Sequence, residues 1–185
     1  MYNSDDTIAH WLFVCCTLVF AMIIVGAITR LTESGLSMVE WRAMIDMFPP
    51  MSDAQWHEAF TKYQATPEYL VKNSGMALES FKSIYFWEWL HRLLGRVTGI
   101  VYILPMIYFW FRGLIVKRLR PRFFLFFLLG GLQGFIGWYM VKSGLVNEPR
   151  VSHYRLALHL STAFILFSCL LAQGLGMSSV WQNKL

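Results

Sequence analysis

The stretch Glu88-Trp-Leu-His-Arg-Leu-Leu-Gly-Arg-Val-Thr-Gly-Ile-Val-Tyr-Ile-Leu-Pro-Met-Ile-Tyr-Phe-Trp-Phe111 joins two incompatible halves. Residues 97–111 are uncharged and apolar, whereas the nine before them hold Glu88, His91, Arg92 and Arg96. A helix needs roughly 20 residues to cross the hydrocarbon of a bilayer. The apolar half alone is too short, so a spanning helix must take in the charged half. Charge inside a membrane is costly and marks function by default.

Three further apolar blocks lie at 11–28, 123–141 and 156–177, the last interrupted by His159. The 185 residues are 56% hydrophobic, with a mean hydropathy of +0.46. These values do not suit an ordinary soluble domain. The expected fold is an all-α membrane protein with one domain over 1–185, a bundle of four transmembrane helices. Its spans fall at about 10–28, 88–112, 122–141 and 155–177, with a long, partly helical outer loop at 29–85 between the first two helices.

The first block lacks the basic start and small-residue cleavage site of a signal peptide, carrying Asp5 and Asp6 instead. Cys15, Cys16 and Cys169 all fall in apolar helices, where they read as small hydrophobes. A net charge of +5 does not imply a nucleic-acid partner. Its main concentration, Lys117, Arg118, Arg120 and Arg122, fills the short loop between the second and third helices. The positive-inside rule puts that loop, and with it the N-terminus, on the cytoplasmic or matrix side.

The second and fourth helices then run in parallel, from outside to inside. Counting back ~20 residues from Arg112 sets the outer boundary of the second helix near His91 and Arg92. The fourth helix enters near Arg155, with His159 about one turn further in. The two histidines are expected at one depth. His10 belongs to the inner end of the first helix, His57 to the outer loop, and His153 to a different helix face from His159.

Two level histidines on facing helices can hold a haem through its iron. They can equally hydrogen-bond between helices without metal. Arg30, Arg92, Arg96 and Arg155 suit haem propionates, or simply snorkel to the interface. Glu88, three residues before His91 and four before Arg92, reads as a plain ion pair or as a carboxylate working at a macrocycle edge. Gln133 is an intramembrane polar group for a neighbour or a ligand. Gly130, Gly131, Gly134 and Gly137 read as a close-packing stripe.

In the outer loop, Ser52 and Gln55 form a capping-box pattern, and Thr66-Pro67 marks a second helix start. Trp56, Phe60 and Tyr63 share one apolar stripe. That stripe suits a helix lying on the membrane surface, and is compatible with a lid over an outer pocket.

Four stretches resemble the haem A synthase family. They are Gly26-Ala-Ile-Thr-Arg-Leu-Thr-Glu-Ser-Gly-Leu-Ser-Met-Val-Glu-Trp41, Glu88-Trp-Leu-His-Arg-Leu-Leu-Gly-Arg96, Gly131-Leu-Gln-Gly-Phe-Ile-Gly-Trp-Tyr-Met-Val-Lys-Ser-Gly-Leu145 and Arg150-Val-Ser-His-Tyr-Arg-Leu-Ala-Leu-His-Leu160. The resemblance implies oxidation of a ring methyl of haem O to a formyl group, for cytochrome oxidase. It implies His91 and His159 as axial haem-iron ligands and Glu88 as the catalytic carboxylate, with Arg92, Arg96 and Gln133 at the haem. It also implies a bacterial plasma membrane or the mitochondrial inner membrane.

Members of the similar branch have two four-helix halves, and this chain resembles the first. A second half carrying haem b is therefore expected as a partner, or else a homodimer. Haem O, the lipid bilayer, haem O synthase and cytochrome oxidase assembly factors complete the expected partners. The alternative reading is a bis-His membrane cytochrome subunit that transfers electrons without substrate chemistry.

Overall fold

A computed structural model describes residues 4–40, 47–144 and 150–182, apart from the side chain of Trp181. Trp41 and Leu145, each the end of a motif quoted above, lie outside the described residues. Among the described residues every regular element is a helix. Four are long and apolar enough to cross a membrane: α1 (Ser4–Leu31), α4 (Leu78–Phe111), α5 (Arg120–Gly144) and α6 (His153–Met177). Between them stand α2 (Asp53–Gln64) and α3 (Pro67–Val71), and the short α7 (Ser179–Gln182) closes the chain. In lipid a helix satisfies its own backbone, which is why apolar stretches of this length fold so.

The chain divides into two compact units. The first comprises residues 1–23, 95–135 and 159–185. Its core is aromatic and centred on Trp11. The indole stacks on Phe123 at 5.9 Å and meets Phe109 edge-on at 5.4 Å. Its Nε1 donates to the Val101 carbonyl at 2.8 Å, and Tyr102 O–H donates to the Phe123 carbonyl at 2.7 Å. Gly174 allows α6 to approach α1 closely: a Cβ there would lie 2.9 Å from the Phe13 ring. Asp6 caps α7, accepting from the Ser179 backbone N–H and hydroxyl at 2.8 and 2.7 Å. Gly113, at φ 69°, ends α4 in a Schellman turn, with Leu114 N–H donating to the Phe109 carbonyl.

The second unit comprises residues 24–94 and 136–158. Here α4 begins at Leu78, well before the apolar run. Its added turns carry Phe81 and Tyr85, on which α2 docks. Trp56 meets Tyr85 at 5.2 Å, while Phe60 and Tyr63 meet Phe81 at 5.0 and 5.2 Å. The stripe expected to face lipid is therefore packed against protein. The capping box of Ser52 and Gln55 is present, and Thr66 caps α3 with Pro67 in its first turn.

The α5 glycines depart from expectation. At Gly130, Gly131 and Gly134 a Cβ would meet nothing within 4 Å among the described residues. Among the described residues they do not bring helices together; they are exposed, as are neighbouring Leu132 and Phe135.

Candidate functional site

In the second unit the site is built where α1 ends. The last turn of α1 closes with Glu33 in the left-handed region, at φ 51°. Ser34 N–H donates back to the Thr29 carbonyl at 2.9 Å, a Schellman turn with glutamate where glycine is usual. Lys72 pairs with Glu33 at 3.1 Å. The turn sends residues 34–40 past α4, and Ser34 and Ser37 are fully buried there.

Glu88 is what they meet. Its carboxylate, 3% exposed, accepts from Ser37 Oγ at 2.8 Å and from Met38 N–H at 2.9 Å on one oxygen. The other oxygen accepts from Arg92 Nη2 at 2.6 Å. Arg92 also donates to the Met38 and Glu40 carbonyls at 3.1 and 3.0 Å. The ion pair foreseen between Glu88 and Arg92 thus exists, and it fastens the turn after α1 to α4. A buried pair of this kind is held by geometry, because each charge stranded alone costs about 3–5 kcal/mol.

His91 lies one turn along from Glu88 and packs on α1. A Cβ added at Gly26 would stand 3.2 Å from His91 Nε2. Glycine at that position makes room for the imidazole. Arg155 stacks over the Tyr139 ring at 4.8 Å. Exposed His153 meets Arg30 Nη2 at 3.3 Å.

In the first unit, Gln133 donates a short hydrogen bond to Thr162 Oγ1, which donates to the His159 carbonyl at 3.1 Å. The His159 ring is different. Its Nδ1 is buried without a hydrogen-bond partner among the described residues. His10 and His57, by contrast, direct Nδ1 to carbonyls of their own helices, at 2.6 and 2.8 Å. Arg96 is half-buried in this unit.

The structure therefore joins Glu88 to Arg92, and Gln133 to the backbone of His159 through Thr162. Sequence reasoning missed Gly26, Ser37 and Met38 as parts of the site. Their signal was present in the Gly26–Trp41 motif, which carried a resemblance but no stated physical task.

These features define an integral membrane protein with four long apolar helices and a buried acid–base cluster at the end of one of them. Residues 9–184 match the cytochrome oxidase assembly protein family, COX15-CtaA. The chain belongs to that family. It is similar to a heme A synthase of Rhodospirillum centenum, 57% identical over 174 residues, which are 94% of this chain and 46% of the relative. A heme A synthase of Nitrosospira multiformis is 51% identical over 91% of this chain and 48% of its own length. One from Rickettsia bellii is 56% identical over 90% and 49%. The chain spans about half the length of these curated relatives. No solved structure matches it.

Proposed function

We propose that this chain is the haem-substrate half of a haem A synthase, serving oxidation of a haem O methyl to a formyl group for cytochrome oxidase. His91 and His159 are the axial ligands in this reading. Glu88 is the carboxylate beside the reacting edge, and Arg92, Arg96 and Gln133 are the polar groups around the haem. The lysine- and arginine-rich run at 117–122, which leads into α5, and the N-terminus face the cytoplasm or matrix. A second four-helix half, carrying haem b, completes the enzyme.

The observation that carries this reading is the unpartnered Nδ1 of His159. An imidazole kept for interhelical hydrogen bonding would have its nitrogens engaged, because a buried polar atom left unpaired is costly. An imidazole kept for a ligand has a nitrogen to spare. The glycine seat of His91 supports the same reading, since the missing Cβ at position 26 leaves space for the imidazole. Imidazole is a ligand type that suits haem iron, so His91 and His159 would hold the haem, whose iron would supply the redox chemistry. The protein's own part is to fix two rings, to hold Glu88 rigid through Ser37, Met38 and Arg92, and to keep the surroundings dry.

The test is expression in cells that make haem O, with and without a partner second half, followed by chromatography of the extracted haems. Haem A formed with the partner, and lost in Glu88→Ala while haem remains bound, is the expected result. Haem O bound but never converted under either condition would overturn the enzymatic reading. Unchanged function in Glu88→Ala would favour the electron-transfer alternative.

A further inference from the structure

Glu68 is a second buried carboxyl, and the site above makes no use of it. It sits in α3, 4% exposed, on the fully buried Tyr63 of α2. Tyr63 O–H donates to Glu68 Oε2 at 3.2 Å, and Asn73 Nδ2 donates to the Tyr63 oxygen at 2.6 Å. No cation forms an ion pair with Glu68 among the described residues; Lys72, at the end of the same helix, pairs with Glu33. A buried carboxylate without a cation is disfavoured, and the group responds by keeping its proton.

The charged and titratable groups facing Glu68 are Tyr63 from α2, Lys72 from the end of α3, Glu33 from the turn after α1 and Glu88 from α4. Two of the three charges are negative in addition to Glu68 itself. Burial comes first among the causes that push Glu68 up to about 7, with Glu88 and Glu33 adding to it and the Tyr63 hydroxyl and Lys72 opposing it. Glu88 acts on Tyr63 in the same sense.

We propose that Glu68 is a proton-operated latch that seats α2 and α3 against α4. Protonated, it is a neutral group under the Tyr63–Phe81 contact and the outer segment stays closed. Deprotonated, it adds a second buried negative charge beside Glu88, with exposed Glu33 also nearby, and the segment loosens. The latch goes beyond the haem reading and does not depend on it, since every group it needs belongs to the protein.

Hydrogen–deuterium exchange of the chain in lipid nanodiscs tests this, followed over residues 63–73 at about pH 6 and about pH 8 and corrected for intrinsic exchange. Wild type is expected to exchange several-fold faster at the higher pH, and Glu68→Gln to stay protected at both. Equal protection of wild type at both values would overturn the latch. So would a Glu68→Gln protein that keeps the wild-type step, because another group would then be titrating. Tyr63→Phe is a second probe that leaves Glu68 in place: loss of the hydroxyl donor is expected to move the step to higher pH, and an unmoved step counts against the proposal.

Discussion

The His91 imidazole and the backbone of Gly26 occupy one space, with His91 Nε2 3.2 Å from where a Cβ at position 26 would stand. Two effects of filling that space have opposite signs. Alanine in a helix interior is favoured over glycine by about 1 kcal/mol. The added methyl must also push the ring aside by a few tenths of an ångström. Gly26→Ala is therefore expected to hold or raise thermal stability while weakening haem retention and altering the optical spectrum of the loaded protein. Gly26→Leu is expected to abolish retention. A Gly26→Ala protein with an unchanged spectrum would separate His91 from the haem.

Arg92→Met leaves Glu88 buried with two of its three donors and frees the Met38 and Glu40 carbonyls. The expected loss is about 3–5 kcal/mol of stability, read as a lower melting temperature in detergent. Replacing both Glu88 and Arg92 by apolar residues of similar volume is expected to cost less than Arg92→Met alone, since no charge is then stranded.

Glu68 gives stability a pH dependence of unusual sign for a carboxyl. Its folded value is raised from 4.5 to about 7, so the folded state binds the proton more tightly than the unfolded chain does. The folded state is favoured below about pH 4.5, and that advantage is lost progressively up to about pH 7. The amount is on the order of 3 kcal/mol, at about 1.4 kcal/mol per pH unit. Glu68→Gln is expected to raise the melting temperature at about pH 8 and leave it little changed at about pH 4. An equal change at both values would place the effect in packing.

In the first unit, Gly174→Ala sets a Cβ 2.9 Å from the Phe13 ring, nearer than real contacts allow. Overpacking of this type costs about 1–3 kcal/mol. The loss should appear as a lower melting temperature. Phe13→Leu in the same chain is expected to restore part of it.

Much of this was legible from sequence, for reasons that differ between residues. The four spans are long apolar runs, and hydropathy reads those directly. Ser52, Gln55, Thr66 and Pro67 mark helix starts through bonds within three residues, so local pattern suffices. The ten residues by which α4 starts before position 88, carrying Phe81 and Tyr85, were not legible, because their partners Trp56, Phe60 and Tyr63 sit in another helix. The same reason hid the cradle of Glu88: Ser37 is 51 residues away in the chain. The ion pair with Arg92 could be foreseen because it spans one helical turn. The α5 glycines misled because small residues signal close approach without naming the neighbour, and here none stands within the described chain. Nothing in the composition around Glu68 distinguishes it from an ordinary surface glutamate; its burial follows from where Tyr63 packs.

The guanidinium of Arg92 has one more consequence, for the entropy of the chain. Its bonds to Met38 and Glu40 join residues 54 and 52 positions apart. Between them runs the outer segment, whose root is also held to α4 by the bonds from Ser37 and Met38 to Glu88. Closing that loop at its root reduces the freedom lost when α2 and α3 dock, because the search for Phe81 and Tyr85 starts from a fixed gate. The cost of loop closure grows only slowly with length. Insertions between the gate and α2 should therefore be tolerated far better than any change to the gate itself.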